Sequence, residues 1–265
     1  MSTRWSGSGP EFDLQWGGRA WRLKVDDARP GLRTWDEDLA ETIGPLLALE
    51  GVAEVGRWEP DALSGATLVG FERRFERIEA TYAPQAWGGL TVRAAWEPSA
   101  HGGGVDLEIQ MSAVSVDQLK AVEVKIMSVL PERPTTRRRR WVEPRDVRSA
   151  GVSYDGRDGD ARDLTTLPPT LNHTLAPRVM PAPWAGGRSY VEMVPLGDVA
   201  RRITEGGTIS SVGHTTRYGL FGHDLEKGVV IRARLRGLWT DSNAPEREAL
   251  EHLGRFLQEP LPLGT

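Results

Sequence analysis

Five short runs between residues 66 and 130 constrain the fold more than any other feature of this sequence. Each run alternates apolar and polar side chains or is rich in valine, isoleucine and threonine. Turn signals such as APQAWGG and PSAHGGG separate the runs, which read ATLVGFERRF, RIEATYAP, GLTVRAAWEP, GVDLEIQMSA and AVEVKIMSVL. A period of two over such lengths, between glycine- and proline-rich turns, predicts antiparallel strands of a sandwich or barrel.

Similar patterns extend this prediction toward both ends of the chain. FDLQW and AWRLKV predict two strands near the N-terminus, and a further strand is expected at 189–194. GVVIRARLRGLW, residues 228–239, predicts a strand with apolar side chains on one face and the arginines at 232, 234 and 236 on the other. We therefore expect strands from the first residues to the last quarter of the chain.

Three segments predict helices instead. The mixed apolar segment 37–51 predicts a short helix broken near Gly44-Pro45, and GDVARRITEGG, residues 197–207, predicts another. After Pro245 an apolar stripe at helical spacing predicts an amphipathic helix that ends before Pro260. The stripe consists of Ala249, Leu250, Leu253, Phe256 and Leu257.

These patterns together predict a mainly β chain. The expected fold is one large antiparallel β-sandwich domain over residues 1–265, with a few short helices and a C-terminal amphipathic helix. Regular patterning weakens between residues 131 and 188, where prolines are frequent, and we expect an irregular segment there.

Composition excludes several classes of protein. The chain has 265 residues with 26% charged and 39% hydrophobic side chains, as in globular proteins and unlike disordered ones. It contains no cysteine, which excludes disulfides, thiolate metal sites and cysteine nucleophiles. The G-x-S-x-G, P-loop and Rossmann patterns are absent, so no cofactor is expected and serine-hydrolase chemistry is disfavoured.

Charge and hydropathy argue against two kinds of partner. The formal net charge of −4 provides no field that would gather nucleic acid or an anionic membrane, although four arginines follow one another at 137–140. The first residues contain no apolar signal-peptide region, and no window is long and apolar enough for a membrane span. We expect a cytoplasmic protein, and the sequence does not indicate its oligomeric state.

GHTTRYGLFGHDLEKG, residues 213–228, holds the densest group of reactive side chains. We interpret it as a polar loop before a strand, at one end of a sheet. Histidine moves protons near neutral pH, and Asp224 or Glu226 is placed to orient His223 as an acid–base element. The alternative is a turn whose charges pair with the arginines of the next strand.

Histidines also allow a metal site. His214, His223 and Glu226, with His173, supply nitrogen and oxygen atoms that zinc or manganese accepts. None of the tight spacings of known zinc motifs is present. We therefore keep metal binding only as an alternative.

Tryptophan provides ten of the nineteen aromatic residues. Most are expected to pack in the core or on sheet faces, because indole is large and its N–H needs one partner. One or two could stack on a sugar ring, and Trp184 in the loop MPAPWAGG is the candidate.

One stretch resembles a known family. GLTVRAAWEPSAHGGGVDLEIQMSA has a W-x-P strand followed by a second long strand, and LNHT at 171–174 has an N-H-[ST] pattern. Both are similar to segments of the galactose mutarotase-like (aldose 1-epimerase-like) β-supersandwich family. The resemblance covers at most the middle third of the chain and implies a concave sheet that binds a small-molecule carbohydrate.

The resemblance also implies roles for single residues. His173 or His214 would protonate the ring oxygen of a pyranose, and Glu226 would deprotonate the anomeric hydroxyl. Arg217 would hold a sugar hydroxyl, and Trp184 would stack on the ring. Tyr218 and Asp224 are further candidate substrate-binding residues. The implied activity is that of an isomerase, and the alternatives are a non-catalytic carbohydrate-binding protein and a metal-dependent lyase or hydrolase acting on a sugar derivative.

Overall fold

The computed structural model describes residues 4–36, 41–99, 103–114, 119–131, 153–155, 177–182, 185–205, 214–241 and 244–259. The first nine strands of this part of the chain are β1 Trp5–Ser6, β2 Glu11–Trp16, β3 Arg19–Lys24, β4 Leu32–Asp36, β5 Glu41–Leu46, β6 Ala48–Glu54, β7 Arg57–Pro60, β8 Leu68–Arg74 and β9 Arg77–Tyr82. The next nine are β10 Leu90–Pro98, β11 Gly104–Ala113, β12 Leu119–Leu130, β13 Ser153–Asp155, β14 Arg178–Ala182, β15 Arg188–Met193, β16 Val199–Glu205, β17 His214–Leu225 and β18 Val230–Thr240. Helix α1 spans Pro245–Gln258, and short 3₁₀ turns occupy Gly65–Thr67, Gln85–Trp87 and Leu196–Asp198.

The strands form three sheets in which all neighbours are antiparallel. A five-stranded sheet has the order β1-β2-β3-β4-β5, and a seven-stranded sheet has the order β14-β15-β18-β11-β10-β9-β8. A six-stranded sheet has the order β13-β16-β17-β12-β6-β7. The prediction of a mainly β antiparallel chain is confirmed, and all five runs between residues 66 and 130 are strands, β8 to β12.

The seven- and six-stranded sheets face each other across the main apolar core. Alternate residues of β11 and β12 point into it and are almost fully buried, namely Val105, Leu107, Ile109, Met111, Val122, Val124 and Ile126. The five-stranded sheet adds aromatic side chains at one side of this core. The rings of Trp16 and Trp21 lie 5.4 Å apart, and the ring of Trp16 lies 5.8 Å from that of Tyr190 on β15 of the seven-stranded sheet. Along β12 the period of two thus separates a buried face from a more exposed face.

Helix α1 covers the outer face of the seven-stranded sheet at β15 and β18. Its apolar residues Ala249, Leu253 and Phe256 are buried against side chains of these two strands, as the stripe predicted. Arg234 and Arg236 of β18 stack on the ring of Phe256 with their guanidinium carbons 4.2 and 4.7 Å from its centroid. Arg234 and Arg236 are therefore buried beneath the helix, whereas Arg232 of the same strand is half-buried.

Two helix predictions are wrong. Residues 41–54 form strands β5 and β6, and residues 199–205 form strand β16. Leu49 and Val52 point into the core and β6 pairs with both β7 and β12, so tertiary pairing overrides the helical preference of the segment. Val199 and Ile203 are β-branched, which favours the strand they form beside β17.

The segment expected to be irregular contains three strands in its described parts. These are β13, β14 and the start of β15. Residues 132–152 and 156–176, including the four arginines, lie outside the described residues. Within the described residues no helix has the length and apolar character of a membrane span.

Candidate functional site

A groove with a volume of about 410 Å³ crosses the outer face of the six-stranded sheet, away from the main core. Its walls come from β6, β7, β12, β16 and β17. Eight residues line it, namely Glu50, Trp58, Lys125, Arg201, Ile203, Arg217, Tyr218 and Gly219. Volumes of this size are typical of small-molecule sites.

The floor of the groove is a row of residues paired across four strands. Arg201 of β16 pairs with Gly219 of β17, Gly219 with Lys125 of β12, and Lys125 with Gly51 of β6. Cations and glycines alternate along this row. Gly51 and Gly219 have no side chain, so neighbouring side chains can lie over the backbone at these two of the four positions.

Both glycines accommodate a neighbouring side chain. A Cβ on Gly51 would lie 3.0 Å from Cη2 of Trp58, so the indole lies against this position. A Cβ on Gly219 would overlap the carboxylate of Glu123 and lie 2.9 Å from the amine of Lys125. The ion pair of Glu123 and Lys125 therefore occupies the space above Gly219.

Trp58 forms the end of the groove at the edge strand β7. Trp58 pairs with Ala53 of β6, and Ala53 pairs on its other side with Glu123 of β12. Since Glu123 faces outward, all three residues lie on the outer face of the sheet. The side chain of Trp58 is 46% exposed. A large aromatic surface left half exposed inside a groove is available to a ligand.

A β-bulge on β6 places Glu50 at the groove. Lys125 pairs with Gly51 but Ile126 pairs with Leu49, so Glu50 is the extra residue on β6. Bulges redirect side chains in this way. The carboxylate of Glu50 accepts a hydrogen bond of 2.9 Å from Nε of Arg217, and Glu50 is only 7% exposed. This buried pair fixes the guanidinium of Arg217 at the groove.

A second ion pair lies beside the first. The amine of Lys125 donates a hydrogen bond to the carboxylate of Glu123, and both side chains are largely buried. Arg201 lies 4.0 Å from the other oxygen of that carboxylate, with 52% of its side chain exposed. The groove thus holds two tightly held ion pairs and one more exposed cation.

Tyr218 connects the groove to a buried polar cluster on the inner face of β17. The cluster consists of Ser128, Arg178, Tyr190, Glu192 and Tyr218. Ser128 and Tyr190 donate hydrogen bonds to Oε1 of Glu192, the second over 3.1 Å. Burial raises the pKa of Glu192 to about 7, against the effect of these two donors. Burial and the nearby Glu192 carboxylate raise the pKa of Tyr218 far above its usual value.

The densest group of reactive side chains is not a loop. His214–Leu225 is strand β17, in the interior of the six-stranded sheet between β12 and β16. Arg217 and Gly219 point to the groove, whereas Thr216, Tyr218 and Leu220 are buried on the inner side. Polar outward positions and glycines concealed this alternation in the sequence.

The strand keeps the predicted catalytic residues apart. His214 and His223 are separated by nine residues, about 30 Å at ~3.3 Å per residue, and Glu226 follows beyond β17. His223 and Glu226 are exposed, while His214 is half buried at the other end. Asp224 accepts a hydrogen bond of 2.9 Å from the backbone N–H of Ala121, which secures an irregular part of β12. The structure does not bring His214 together with His223 and Glu226, because a strand extends where a loop would fold back.

Two predicted residues, His173 and Trp184, lie outside the described residues. Within the described part of the chain, no three histidine, aspartate or glutamate side chains are grouped as metal ligands. Of the predicted site residues, Arg217 and Tyr218 line the groove.

The outer face of the seven-stranded sheet offers a second polar surface. There Arg77 lies 3.1 Å from Glu108 and 3.3 Å from Glu97, and Arg93 pairs with Glu79. Glu79 and Glu108 are 6% and 3% exposed. These two arginines and three glutamates form ion pairs with one another, and this surface has no exposed tryptophan comparable to Trp58 among the described residues.

Sequence patterns did not identify most of the groove. Glu50, Trp58, Lys125 and Arg201 come from four strands and meet only through the sheet order. One local signal was present, since Trp58 lies between Arg57 and Glu59 in a short run bounded by a glycine and a proline. A large apolar residue between charged ones in a short strand is typical of an exposed edge.

Comparison with known proteins gives similarity at the level of structure. No protein-family model matches the sequence, and no curated protein matches it. The structure of HI1317 is similar with a TM-score of 0.44 and 7% identity, over 91% of this chain and 100% of that one. A GalM/aldose epimerase homologue from C. elegans is similar with a TM-score of 0.43 and 7% identity, over 91% of this chain and 99% of that one. Neither similarity is close enough to assign a function.

Proposed function

We propose that this protein binds a carbohydrate in the groove of the six-stranded sheet. The observation that carries the proposal is the half-exposed indole of Trp58 at the end of a groove otherwise lined mainly by charged side chains. A pyranose has an apolar C–H face and a rim of hydroxyl groups. A ligand of that kind needs one flat aromatic surface and several fixed hydrogen-bonding groups around it.

The ion pairs support this proposal because they hold polar groups in place before a ligand arrives. Glu50 orients Arg217, and Glu123 orients Lys125. Each pair presents donors and acceptors side by side, and each hydroxyl of a sugar is both a donor and an acceptor. Preorganised groups lose little conformational entropy on binding, which favours affinity.

Binding alone agrees better with the geometry than the isomerase chemistry that the family resemblance implies. That chemistry needs an acid and a base at one sugar ring, whereas His214 and Glu226 lie at opposite ends of β17. The described histidines do not line the groove. A role for His173 in isomerisation stays a prediction, because His173 lies outside the described residues.

The test is the substitution Trp58→Ala, with Trp35→Ala as the matched control. Trp35 is also exposed, at 59%, but belongs to the five-stranded sheet. A panel of neutral and acidic mono- and disaccharides is screened by saturation-transfer NMR, and the affinities of those that bind are measured by calorimetry. We expect Trp58→Ala to weaken binding by about 10-fold or more, since the stacking surface is lost. Trp35→Ala should bind like the wild type.

Two results would contradict the proposal. One is a panel in which no saccharide binds the wild type, and the other is an affinity that Trp58→Ala leaves unchanged. The same NMR samples report exchange between sugar anomers. A wild-type rate above the spontaneous one that Glu226→Gln lowers would restore the isomerase assignment of that residue.

A further inference from the structure

We propose that the carbohydrate bound in the groove carries one negative charge, a carboxylate such as that of a uronic acid, and that Arg201 binds it. This inference rests on the proposed function and specifies its ligand class. Three observations on the described residues support it: the charge balance of the groove, the exposure of Arg201, and its position in the cross-strand row.

Among the side chains that the structure describes, the charge balance of the groove is positive by one. Lys125, Arg201 and Arg217 are cations of the groove, and Glu50 and Glu123 are the carboxylates that contact them. A uronate carries a single negative charge and would neutralise the groove. A phosphate monoester carries about 1.5 to 2 negative charges near neutral pH, which exceeds that balance.

Arg201 is the cation best placed to bind an anion. Arg217 is held by Glu50 at 2.9 Å, and Lys125 is held by Glu123. Arg201 shares the carboxylate of Glu123 at 4.0 Å and has 52% of its side chain exposed. An exposed contact at that distance contributes little to stability, so the guanidinium can turn to a ligand at small cost. Its planar fork matches a carboxylate with two parallel hydrogen bonds.

The row of paired residues directs Arg201 into the groove. Arg201 and Ile203 occupy outward positions on β16. The space above Gly219, beside Arg201, holds the carboxylate of Glu123, 4.0 Å from the guanidinium of Arg201. β16 and the strand of Trp58 are four positions apart in the sheet, about 19 Å at ~4.8 Å per strand. The anion contact and the stacking contact therefore lie at opposite ends of the groove and can act on separate parts of one saccharide.

The experiment compares Arg201→Gln with the wild type against matched charged and neutral sugars. The probes are the methyl glycosides of glucuronic, galacturonic and mannuronic acid, and the methyl ester of each, which has the same ring without the charge. Glucose 6-phosphate and galactose 6-phosphate are added as doubly charged sugars. Arg247→Gln is the control, because Arg247 is an exposed arginine on α1, which packs on the other sheet.

We expect at least one uronide to bind about 10-fold more tightly than its ester, as for a charge-assisted hydrogen bond. Arg201→Gln should lower the affinity for the acid to that for the ester and leave the ester unaffected. Arg247→Gln should change neither affinity. Raising the salt concentration should weaken binding of the acid and leave binding of the ester unchanged.

Several results would overturn the inference. Equal affinity for acid and ester, a preference for the acid that survives Arg201→Gln, or tighter binding of the sugar phosphates would each refute it. In these cases the proposed function stands if Trp58→Ala still weakens binding. If neither the uronides, the esters nor any neutral saccharide binds the wild type, the proposed function fails as well.

Discussion

Replacement of Glu192 by glutamine is expected to make the protein more stable at alkaline pH. Glu192 is 1% exposed, on the inward face of β15 between the two large sheets. Its Oε1 accepts hydrogen bonds from the hydroxyls of Ser128 and Tyr190. A glutamine carbonyl can accept the same two bonds, so Glu192→Gln removes the titratable group and retains the shape and the acceptor.

The sign of the effect follows from the raised pKa. Burial raises the pKa of Glu192 from 4.5 to about 7, so the folded protein holds a proton there that the unfolded chain releases between these values. The free energy of unfolding therefore falls as the pH rises through this window and is constant above it. Each tenfold change in proton affinity corresponds to about 1.4 kcal/mol, which gives a loss of about 3 kcal/mol from Glu192 by pH 8.

Urea denaturation of both proteins between pH 4.5 and pH 8.5 measures this difference, with tryptophan fluorescence as the signal. The wild type and Glu192→Gln should be similarly stable at the acidic end, and the variant should be more stable by up to about 3 kcal/mol at the alkaline end. Subtracting the two curves cancels the other titrating groups. Glu251→Gln, at an exposed site on α1, is the control. A difference between wild type and Glu192→Gln that does not change with pH would refute the reasoning.

Two further predictions concern the helix and the groove floor. Phe256→Ala should lower the free energy of unfolding by about 3–5 kcal/mol, and Phe256→Leu should lower it by about 1–2 kcal/mol. The leucine keeps most of the apolar contact and loses only the stacking of the two arginines. Chemical denaturation measures both losses, and an equal loss from the two variants would contradict the prediction. Gly219→Ala should displace the movable ends of Glu123 and Lys125, lowering carbohydrate affinity while the free energy of unfolding changes by less than about 1 kcal/mol. In the matched variant Gly51→Ala the new Cβ would overlap a backbone carbonyl of β7, so this variant should lose stability. Calorimetry measures the carbohydrate affinities, and chemical denaturation measures the free energies of unfolding. A greater loss of stability in Gly219→Ala than in Gly51→Ala would contradict the prediction.

The strands were predictable because local pattern and burial coincide in them. β10 and β12 alternate along much of their length between buried and more exposed residues, and this alternation can be read along a single run of residues. Helix α1 was predictable for the same reason, because its apolar stripe meets one surface. Where only one face of an element is buried, the spacing of its apolar residues shows whether the element is a strand or a helix.

The wrong predictions concern segments in which buried and exposed residues do not alternate regularly. The segment 41–54 is apolar without a clear period, because β6 is buried between two neighbours and its bulge at Glu50 interrupts the alternation. Strand β17 contains glycines and charged residues at its outward positions, which resembles a loop. The bulge residue Glu50 and the glycine Gly219 both line the groove. Residues that interrupt the strand pattern in the sequence are therefore also residues of the groove.

The groove itself depends on the order of the strands in the sheet. Trp58 and Arg201 are 143 positions apart in the sequence and meet through pairings of β7 with β6, β6 with β12, β12 with β17 and β17 with β16. No local pattern specifies which strands become neighbours. Arg217 was predicted as a binding residue because the family resemblance implied that role, whereas its partner Glu50 lies in a segment predicted to be helical.

Strand β17 links the two parts of the molecule on which the predictions depend. Its outward residue Arg217 belongs to the groove, and its inward neighbour Tyr218 belongs to the cluster of Glu192. Because successive side chains point to opposite faces, a change in the cluster acts on Arg217 through the backbone of β17. Glu192→Gln should therefore alter the pH dependence of stability while leaving the effect of Trp58→Ala on carbohydrate affinity unchanged. If both substitutions altered affinity and their effects were not additive, the backbone of β17 would have to shift when Glu192 titrates, and the two faces would form one coupled unit.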